Sequence, residues 1–414
     1  MATMLALRLN IRTPVHSETA RNHFRELAHH HSFWKVLAVI KQKSNSRGGI
    51  GPRSFLDDNR EFERWLRSQC KVVERDLDEK HKKMKDDPFV FLRATFFRWA
   101  RSIEALCPEL TDAPRVPSVG DTHIENFGTW RDAEGRLVWG VNDFDEAASI
   151  AYPFDLVRLA TSARLAPKAK KKKARAMTHV GNGDAAKAIL VGYKEGLKQP
   201  RPSLLDEQAS WMRAYVTCTD DERHEFWDDV EKYPRAKPPS AVAATLRKKL
   251  PPDAAFDRFA TRVAGVGSLG RPRFLAIADW CGGQIVREAK ALVPSAWDWA
   301  HDRKGKLRFL DLAKGSYRAP DPHLMLERQN GFVIRRLAPD SRKINLGDHA
   351  NMSLELDLLN VMGFDIGAIH AATAGASTTI AADLIKRDSD WLHAAAKAAA
   401  AFVEDDFKEW RRHG

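Results

Sequence analysis

The sequence predicts an α+β fold of two lobes, one a small antiparallel β lobe and the other larger and mainly helical. Three observations carry this. Residues 119–146, VGDTHIENFGTWRDAEGRLVWGVNDFDE, read as a polar loop followed by a β-hairpin, with a helix opening just beyond at PFDLVRL. Residues 256–293 set the glycine-rich GVGSLG between runs of β-formers and a Gly-Gly turn, which describes a second group of antiparallel strands. Most of the remaining chain spaces its apolar residues with a helical period. A length of 414 residues also exceeds what one hydrophobic core usually serves, so two lobes are expected.

Composition bounds the class. Hydrophobic residues make up 43% of the chain and charged residues 29%, the balance of a soluble globular protein. No run reaches the roughly 18 continuous apolar residues of a membrane helix, and the apolar run in MATMLALRLNIRTP is too short for a secretory signal. No membrane partner and a cytoplasmic location are therefore expected. Cys70, Cys107, Cys218 and Cys281 are scattered without C-x-x-C pairing, which indicates reduced thiols rather than a disulfide framework or a zinc site. The formal net charge of +12 fits either a nucleic-acid surface or a site for anionic ligands such as nucleotides. The densest basic run, KAKKKKAR at residues 168–175, has no aromatic residues interleaved for base stacking. It reads as a solvated surface, and a nucleic-acid partner is not expected.

In chain order, residues 1–87 form an N-terminal helical segment. It holds His29, His30 and His31, but adjacent histidines cannot all converge on one ion from a helix, so they read as surface or interface residues. Over residues 61–84, Phe62, Trp65, Leu66, Cys70, Val73 and Leu77 recur largely at spacings of three and four, which predicts a single amphipathic helix. Pro88 interrupts it, and residues 89–106 resume the period with an aromatic face. Arg93, a charge among apolar neighbours, is expected to pair with a carboxylate, the alternative being a phosphate. Prolines 108, 114 and 117 then mark a loop.

The next segment, residues 88–165, carries the chemistry of the larger lobe. Asp121 and Asn126 lie five apart in the loop, and the strand at 137–141 delivers Asp143, Phe144 and Asp145 to its end. The 17 positions between Asn126 and Asp143 suit a hairpin that brings both to one rim. A carboxylate that accepts a hydroxyl proton, an amide oxygen that ligates Mg²⁺ and a second carboxylate on that ion are the parts metal-assisted phosphoryl transfer requires. Asp121 is thus the candidate base, and Asn126 and Asp143 are candidate metal ligands. Asp145 is a third or outer ligand, and His123 orients the loop. The bland alternative is an acidic hairpin end.

Residues 166–255 continue the helical part of that lobe, interrupted at 181–183 and 200–202. Trp211, Tyr215, Phe226 and Trp227 are expected in its core, and Asp220, Asp221 and Glu222 read as the acidic start of a helix. Residues 256–340 form the small β lobe. There GVGSLG runs into RPRFLAIADW, rich in β-formers, where a dinucleotide-binding loop would run into a helix. Gly265, Gly267, Ser268 and Gly270 would let backbone N–H groups approach a triphosphate without obstruction by Cβ atoms. The third strand, IVREAKAL, offers Arg287 and Lys290 as the phosphate cation. Their odd separation puts them on opposite faces, so only one can point inward. Asp311 and Glu327 are candidate acidic partners, and GFVIRRLAP reads as the last strand of the lobe, leading to a hinge. Residues 341–414 return as helices, one over 354–374 interrupted or bent around Gly363 with His370 as a hydrogen-bonded core residue, and an alanine-rich one over 392–407.

GDTHIEN, the later DFD and the helical DL resemble the catalytic segment of aminoglycoside and choline phosphotransferases. In kinases the glycine loop precedes that segment, whereas here GVGSLG follows it by more than a hundred residues. Both pieces can serve one site if the bilobal protein-kinase-like fold is circularly permuted. DPFVFLRA, GDTHIENFG, VNDFDEA, PFDLVRLATS, GVGSLG, VREAKA and IRRLAP together, over roughly residues 53–376, resemble an uncharacterised bacterial family, a domain of unknown function with such a core. The chain departs from its pattern in carrying Arg287, not lysine, directly before the Glu-Ala pair. The resemblance implies an ATP- and Mg²⁺-dependent phosphotransferase acting on a hydroxyl of an unidentified small molecule or protein. Alternatives are a kinase-like AMP transferase, a catalytically inactive nucleotide-binding regulator and a helical RNA- or DNA-binding protein.

Overall fold

The computed structural model describes residues 53–166, 180–216, 218–343 and 352–414, and its strands pair only in antiparallel fashion. The histidines at 29–31 and the basic run at 168–175 lie outside the described residues. Residues 55–414 form one unit. Among the described residues no helix is long and apolar enough to cross a membrane.

The helix expected over 61–84 is two helices, α1 (Phe55–Gln69) and α2 (Glu74–Lys83). The break has a tertiary cause. Val73 N donates to Gly270 O at 2.9 Å, so the chain leaves the helix to dock on the glycine segment. α3 (Pro88–Ala94) starts with proline in its first turn and with the Asp87 side chain accepting from Val90 N. α4 (Phe96–Leu106) follows, and its aromatic face packs on α1, with Phe62 and Phe97 stacked at 4.6 Å.

β1 (Arg115–Ser118) pairs with β4 (Ala148–Ala151), while β2 (Phe127–Arg131), β3 (Leu137–Val141) and β5 (Ser203–Leu204) make a three-stranded sheet. Between them in the chain run α5 (Pro153–Leu165), almost wholly buried, and α6 (Asn182–Lys198). After α7 (Arg213–Val216) comes α8 (Asp220–Lys232), whose acidic start is a capping box formed by Thr219 and Glu222. Phe226 and Trp227 of α8 are half-buried. Trp211, expected in the core, is instead 36% exposed, because it sits on the short 3-10 turn before α7 rather than on a packed helix face.

α9 (Ser240–Lys248) leads to the larger sheet, with strands β6 (Ala255–Ala260), β7 (Arg273–Trp280), β8 (Gly283–Ala291), β9 (Met325–Glu327) and β10 (Phe332–Leu337) in the order β6-β7-β8-β10-β9. α10 (Ala296–Ala300) and α11 (Phe309–Ala313) lie between β8 and β9 in sequence. The period of two divides this sheet cleanly. Ala276, Ala278, Ala289 and Ile334 face Val242 and Leu246 of α9, whereas Leu275, Ile277, Val286 and Leu337 form a second cluster with Val230 of α8.

The chain closes with α12 (Met352–Ala371), α13 (Ala376–Leu384) and α14 (Trp391–His413). At Gly363, where an interruption or bend is expected, there is no interruption; α12 is one continuous helix through it. Its glycines serve a close helix crossing. A Cβ on Gly363 would stand 2.1 Å from Ile189 O, and one on Gly192 of α6 would stand 1.8 Å from Asn360 O. Backbone meets backbone there, so no rotamer change can relieve the clash. Gly192→Ala is expected to lose about 3 kcal/mol to overpacking, against a gain of ~1 kcal/mol in helix propensity. A lower urea midpoint at unchanged slope would register the net loss.

Candidate active site

The loop that carries Asp121 is pinned to α5. Val119 N and Gly120 N donate to the two Asp155 carboxylate oxygens at 2.8 and 2.9 Å, and Ile124 N donates to Ser162 Oγ at 3.1 Å. Thr122 Oγ1 donates to the Asp155 backbone oxygen at 2.6 Å. Asp155 is held in turn by His370 Nε2 at 3.2 Å, and His370 Nδ1 lies 2.9 Å from Tyr193 Oη. His370 is thus a buried, hydrogen-bonded core residue, two steps behind the loop. Gly120 has φ +82, and a Cβ there would meet Glu146 O, so only glycine lets the loop pass the acidic segment this closely.

Asp121 Oδ1 accepts from Arg158 Nε at 2.8 Å and lies 2.6 Å from its Nη2. Arg158, fully buried on α5, also donates to Leu92 O and lies over the Phe96 and Trp99 rings. Asp121 Oδ2 remains on the cavity side, 4.0 Å from His123 Nε2. Burial pushes the Asp121 carboxyl above its ordinary value although Arg158 opposes the change. His123 Nδ1 accepts from Glu125 N at 3.2 Å, which fixes the ring. Burial, then Arg93 and Lys343, hold its pKa well below the usual value, so it is neutral at pH 7.

The β2–β3 hairpin does bring Asn126 and Asp143 to one rim, closed by Asn142 N donating to Asn126 O at 3.2 Å. Asn126 Nδ2 donates to Asp121 O at 2.9 Å and to Asp143 O at 3.1 Å. Those bonds orient the amide, and its Oδ1 is buried with no partner; the same holds for Asp145 Oδ1. Lys290 Nζ lies 2.7 Å from Asp143 Oδ2 and 2.5 Å from Asp145 Oδ2. Enclosure works against the charge on Asp143, but the Lys290 ammonium, the hydrogen bond shared with Asp145 and the Arg335 charge together outweigh it and hold that carboxyl well below the usual range. Asp145 moves the other way, raised by burial and by the neighbouring Asp143 charge.

These oxygens suit a hard divalent cation. Among the described residues no three His, Cys, Asp or Glu side chains could hold a metal by themselves. Two carboxylates and one amide oxygen are nonetheless what Mg²⁺ takes from a protein when phosphates and water supply the rest. The two buried oxygens without partners, on Asn126 and Asp145, are the observation that fits it.

The glycine turn reaches the same place. Gly265 has φ +73, and a Cβ on Gly267 would lie 2.9 Å from Arg93 O and 3.5 Å from Asp121 Oδ2. Ser268 Oγ accepts from Arg273 Nη2 at 2.6 Å. Gly270, expected at the ligand, does not line the cavity; it faces Leu77 of α2, where a Cβ would stand 2.8 Å away. Arg287 is also turned away, donating to Lys249 O at 3.0 Å and lying 3.2 Å from His323 Nε2. The sheet register decides between the two cations. Lys290 stands opposite Arg273 and points to the acidic hairpin, where it sits on Asp143 and Asp145 rather than in the cavity lining, and the departure at Arg287 leaves the cavity untouched. Nor do Asp311 and Glu327 pair with Lys290. Asp311 meets Lys306 and Arg308, and Glu327 accepts from Gln329 N and Asn330 N.

Glycine turn, loop and hairpin rim surround one cavity of about 460 Å³, lined by ten Lys or Arg and six Asp or Glu side chains. Such an excess of cations suits a polyanion. Arg93 lines it while paired with Glu125 at 2.9 Å. Several of its organising residues carried no sequence signal of their own. Arg271 clamps Asp145 at 3.1 Å and Glu146 at 2.7 Å, joining the end of the glycine turn to the acidic hairpin. Arg318 pairs with Asp365 at 2.6 Å and donates to Val141 O at 2.5 Å. Fully buried Glu288 gathers Arg262 and Arg335 at 2.7 Å and Arg273 at 3.2 Å. Glu288 and Arg158 had a clue, the first as the glutamate of the Glu-Ala pair in VREAKA and the second as lying three residues after Asp155 on one helix face.

Residues 72–225 match a family described as uncharacterized protein conserved in bacteria (DUF2252). This meets, over that span, the resemblance to an uncharacterised bacterial family drawn from the motifs. The span takes in Asp121, Asn126, Asp143, Asp145 and their scaffold α5, and stops before the glycine turn and Lys290. No curated protein and no solved structure matches the chain.

Proposed function

We propose that the protein is an ATP- and Mg²⁺-dependent phosphotransferase with a circularly permuted, protein-kinase-like core, transferring a phosphoryl group to a hydroxyl. The observation that carries this reading is the convergence of two distant pieces of chain on one cavity. GVGSLG stands over Asp121, and Lys290 from the β lobe sits on the Asp143 and Asp145 carboxylates.

In this reading the backbone of Gly265 and Gly267 approaches the phosphates, and Lys290 supplies counter-charge to them. Asn126 Oδ1, Asp143 and Asp145 would hold Mg²⁺, which when bound neutralises charge on the β- and γ-phosphates. Asp121 Oδ2 positions the acceptor hydroxyl and takes its proton as the new O–P bond forms and the bond to the leaving ADP oxygen breaks. Burial, which makes the Asp121 carboxylate more basic than usual, works in favour of that transfer. Arg158 keeps Oδ1 occupied and so leaves one oxygen for the reaction.

The test is ³¹P NMR of ATP incubated with the protein and a panel of hydroxyl compounds, with and without Mg²⁺. Mg²⁺-dependent conversion to ADP and a phosphate ester is expected. Pyrophosphate with an AMP ester would identify AMP transfer instead, and saturable binding without consumption an inactive nucleotide-binding regulator. Absence of any Mg²⁺-dependent nucleotide binding would overturn the assignment.

A further inference from the structure

Lys80 remains when nucleotide and metal groups have been assigned. It lies on α2, is only 4% exposed, and lines the same cavity. Its ammonium makes no hydrogen bond or ion pair within the described residues, and the Phe62 ring centroid lies 6.0 Å from it. The neighbouring acid, Glu63, is taken up by Asn59 at 3.0 Å and by His81. A charge on a nearly buried side chain that has no direct partner in the protein is costly, so one that opens onto a cavity calls for an anion to complete it.

Its surroundings differ from those of the nucleotide groups. The glycine turn and the carboxylates come from the β lobe and the hairpin, whereas Lys80 lines the cavity from α2, as do Phe62 from α1 and Phe96 and Phe97 from α4. Phe96 also borders Gly120, the residue before Asp121: a Cβ on that glycine would lie 3.1 Å from the ring. The aromatic wall therefore lies beside the group that would take the hydroxyl proton. Burial brings the Lys80 pKa down to about 8, with Glu63, Glu146 and Asp121 favouring its charge and Arg271 opposing it. At neutral pH it remains a cation.

We propose that Lys80 anchors the acceptor, and that the acceptor is a small hydroxyl compound bearing an anionic group such as a carboxylate, sulfate or phosphate ester. This rests on the phosphotransfer reading and narrows it. A polyamine sugar or a quaternary ammonium alcohol would meet an uncompensated like charge.

Sulfate, whose charge is constant across the range, is the probe. It is titrated into the full chain and into Lys80→Met, with Mg²⁺ and a non-hydrolysable ATP analogue saturating. Wild type should bind sulfate, weakening as pH rises above about 8. Lys80→Met should bind it at least roughly tenfold more weakly, as expected for a lost charge-assisted bond, and without that pH dependence. The variant should melt no lower than wild type, since an unpaired buried charge has been replaced by an apolar side chain of similar size. ATP-analogue affinity should be the same in both proteins. Sulfate binding indifferent to Lys80→Met, or absent from wild type, would overturn the anchor alone. A parallel fall in ATP-analogue affinity would assign Lys80 to the nucleotide and overturn it too. No binding of the ATP analogue by wild type would remove the phosphotransfer reading, and the acceptor assignment with it.

Discussion

Glu288→Gln is expected to destabilise the protein by on the order of 3 kcal/mol, the lower end of the cost of removing one partner from a buried ionic cluster. Glu288 is fully buried on β8, and its two oxygens hold Arg262, Arg273 and Arg335. Glutamine keeps the shape but removes the negative charge that all three guanidinium groups contact, leaving Asp143 and Asp145 to act on Arg335, and Asp145 on Arg273, without a salt bridge to either. Arg335 keeps 28% of its side chain exposed and can recover some hydration, which sets the cost at the lower end. The pH dependence gives a second readout. Burial alone would raise the Glu288 pKa, but the three arginines hold it well below the ordinary value of 4.5. Its contribution is therefore complete above that value and is lost as pH falls below it towards the folded-state pKa. Urea denaturation should show wild type and Glu288→Gln far apart at pH 7 and converging in acid. Equal midpoints at pH 7 would mean that the arginine cluster is stable without its central acid.

Local patterns made part of this site legible before any coordinates. Asp121, Asn126, Asp143 and Asp145 could be placed because a five-residue loop spacing and a hairpin are short-range geometry. The glycine turn was legible because β-formers flank it on both sides. What failed needed long-range information. Period two says that Arg287 and Lys290 face opposite ways but not which faces inward; that depends on which side of the sheet meets the acidic hairpin. The break between α1 and α2 depends on Gly270 waiting 197 residues further on for Val73 N. Gly363 suggests an interruption because glycine is a poor helix former, whereas a helix-to-helix approach closer than any Cβ allows uses the same residue inside a continuous helix. Arg271, Arg318 and Glu288 acquire meaning only through carboxylates or guanidinium groups far away in sequence. Lys80 is one of many charges within residues 61–84, and only burial beside an open cavity sets it apart.

Asp143→Asn is expected to lower Mg²⁺-dependent turnover by about a thousandfold or more, comparable to losing a principal electrostatic group from a transition state, while the fold persists. The structure gives separate reasons for the two halves. Asn126 Nδ2 is held by the Asp143 backbone oxygen, not its side chain, so the rim keeps its shape. Asp145 N donates to Asp143 Oδ1 at 3.2 Å, a bond that an asparagine oxygen can also accept. Lys290 retains Asp145 at 2.5 Å. The charge available to a divalent cation nevertheless falls from two carboxylates to one. That remaining carboxylate is raised in wild type by burial and by Asp143, so removing the Asp143 charge should lower the Asp145 pKa and extend its ionised range to more acidic pH. Affinity for Mg²⁺ with a non-hydrolysable ATP analogue should therefore be weaker in Asp143→Asn at pH 7 and also less sensitive to acid. Turnover equal to wild type at saturating Mg²⁺ would take the metal away from Asp143, and an unchanged acid limb would take away the coupling between the two carboxylates.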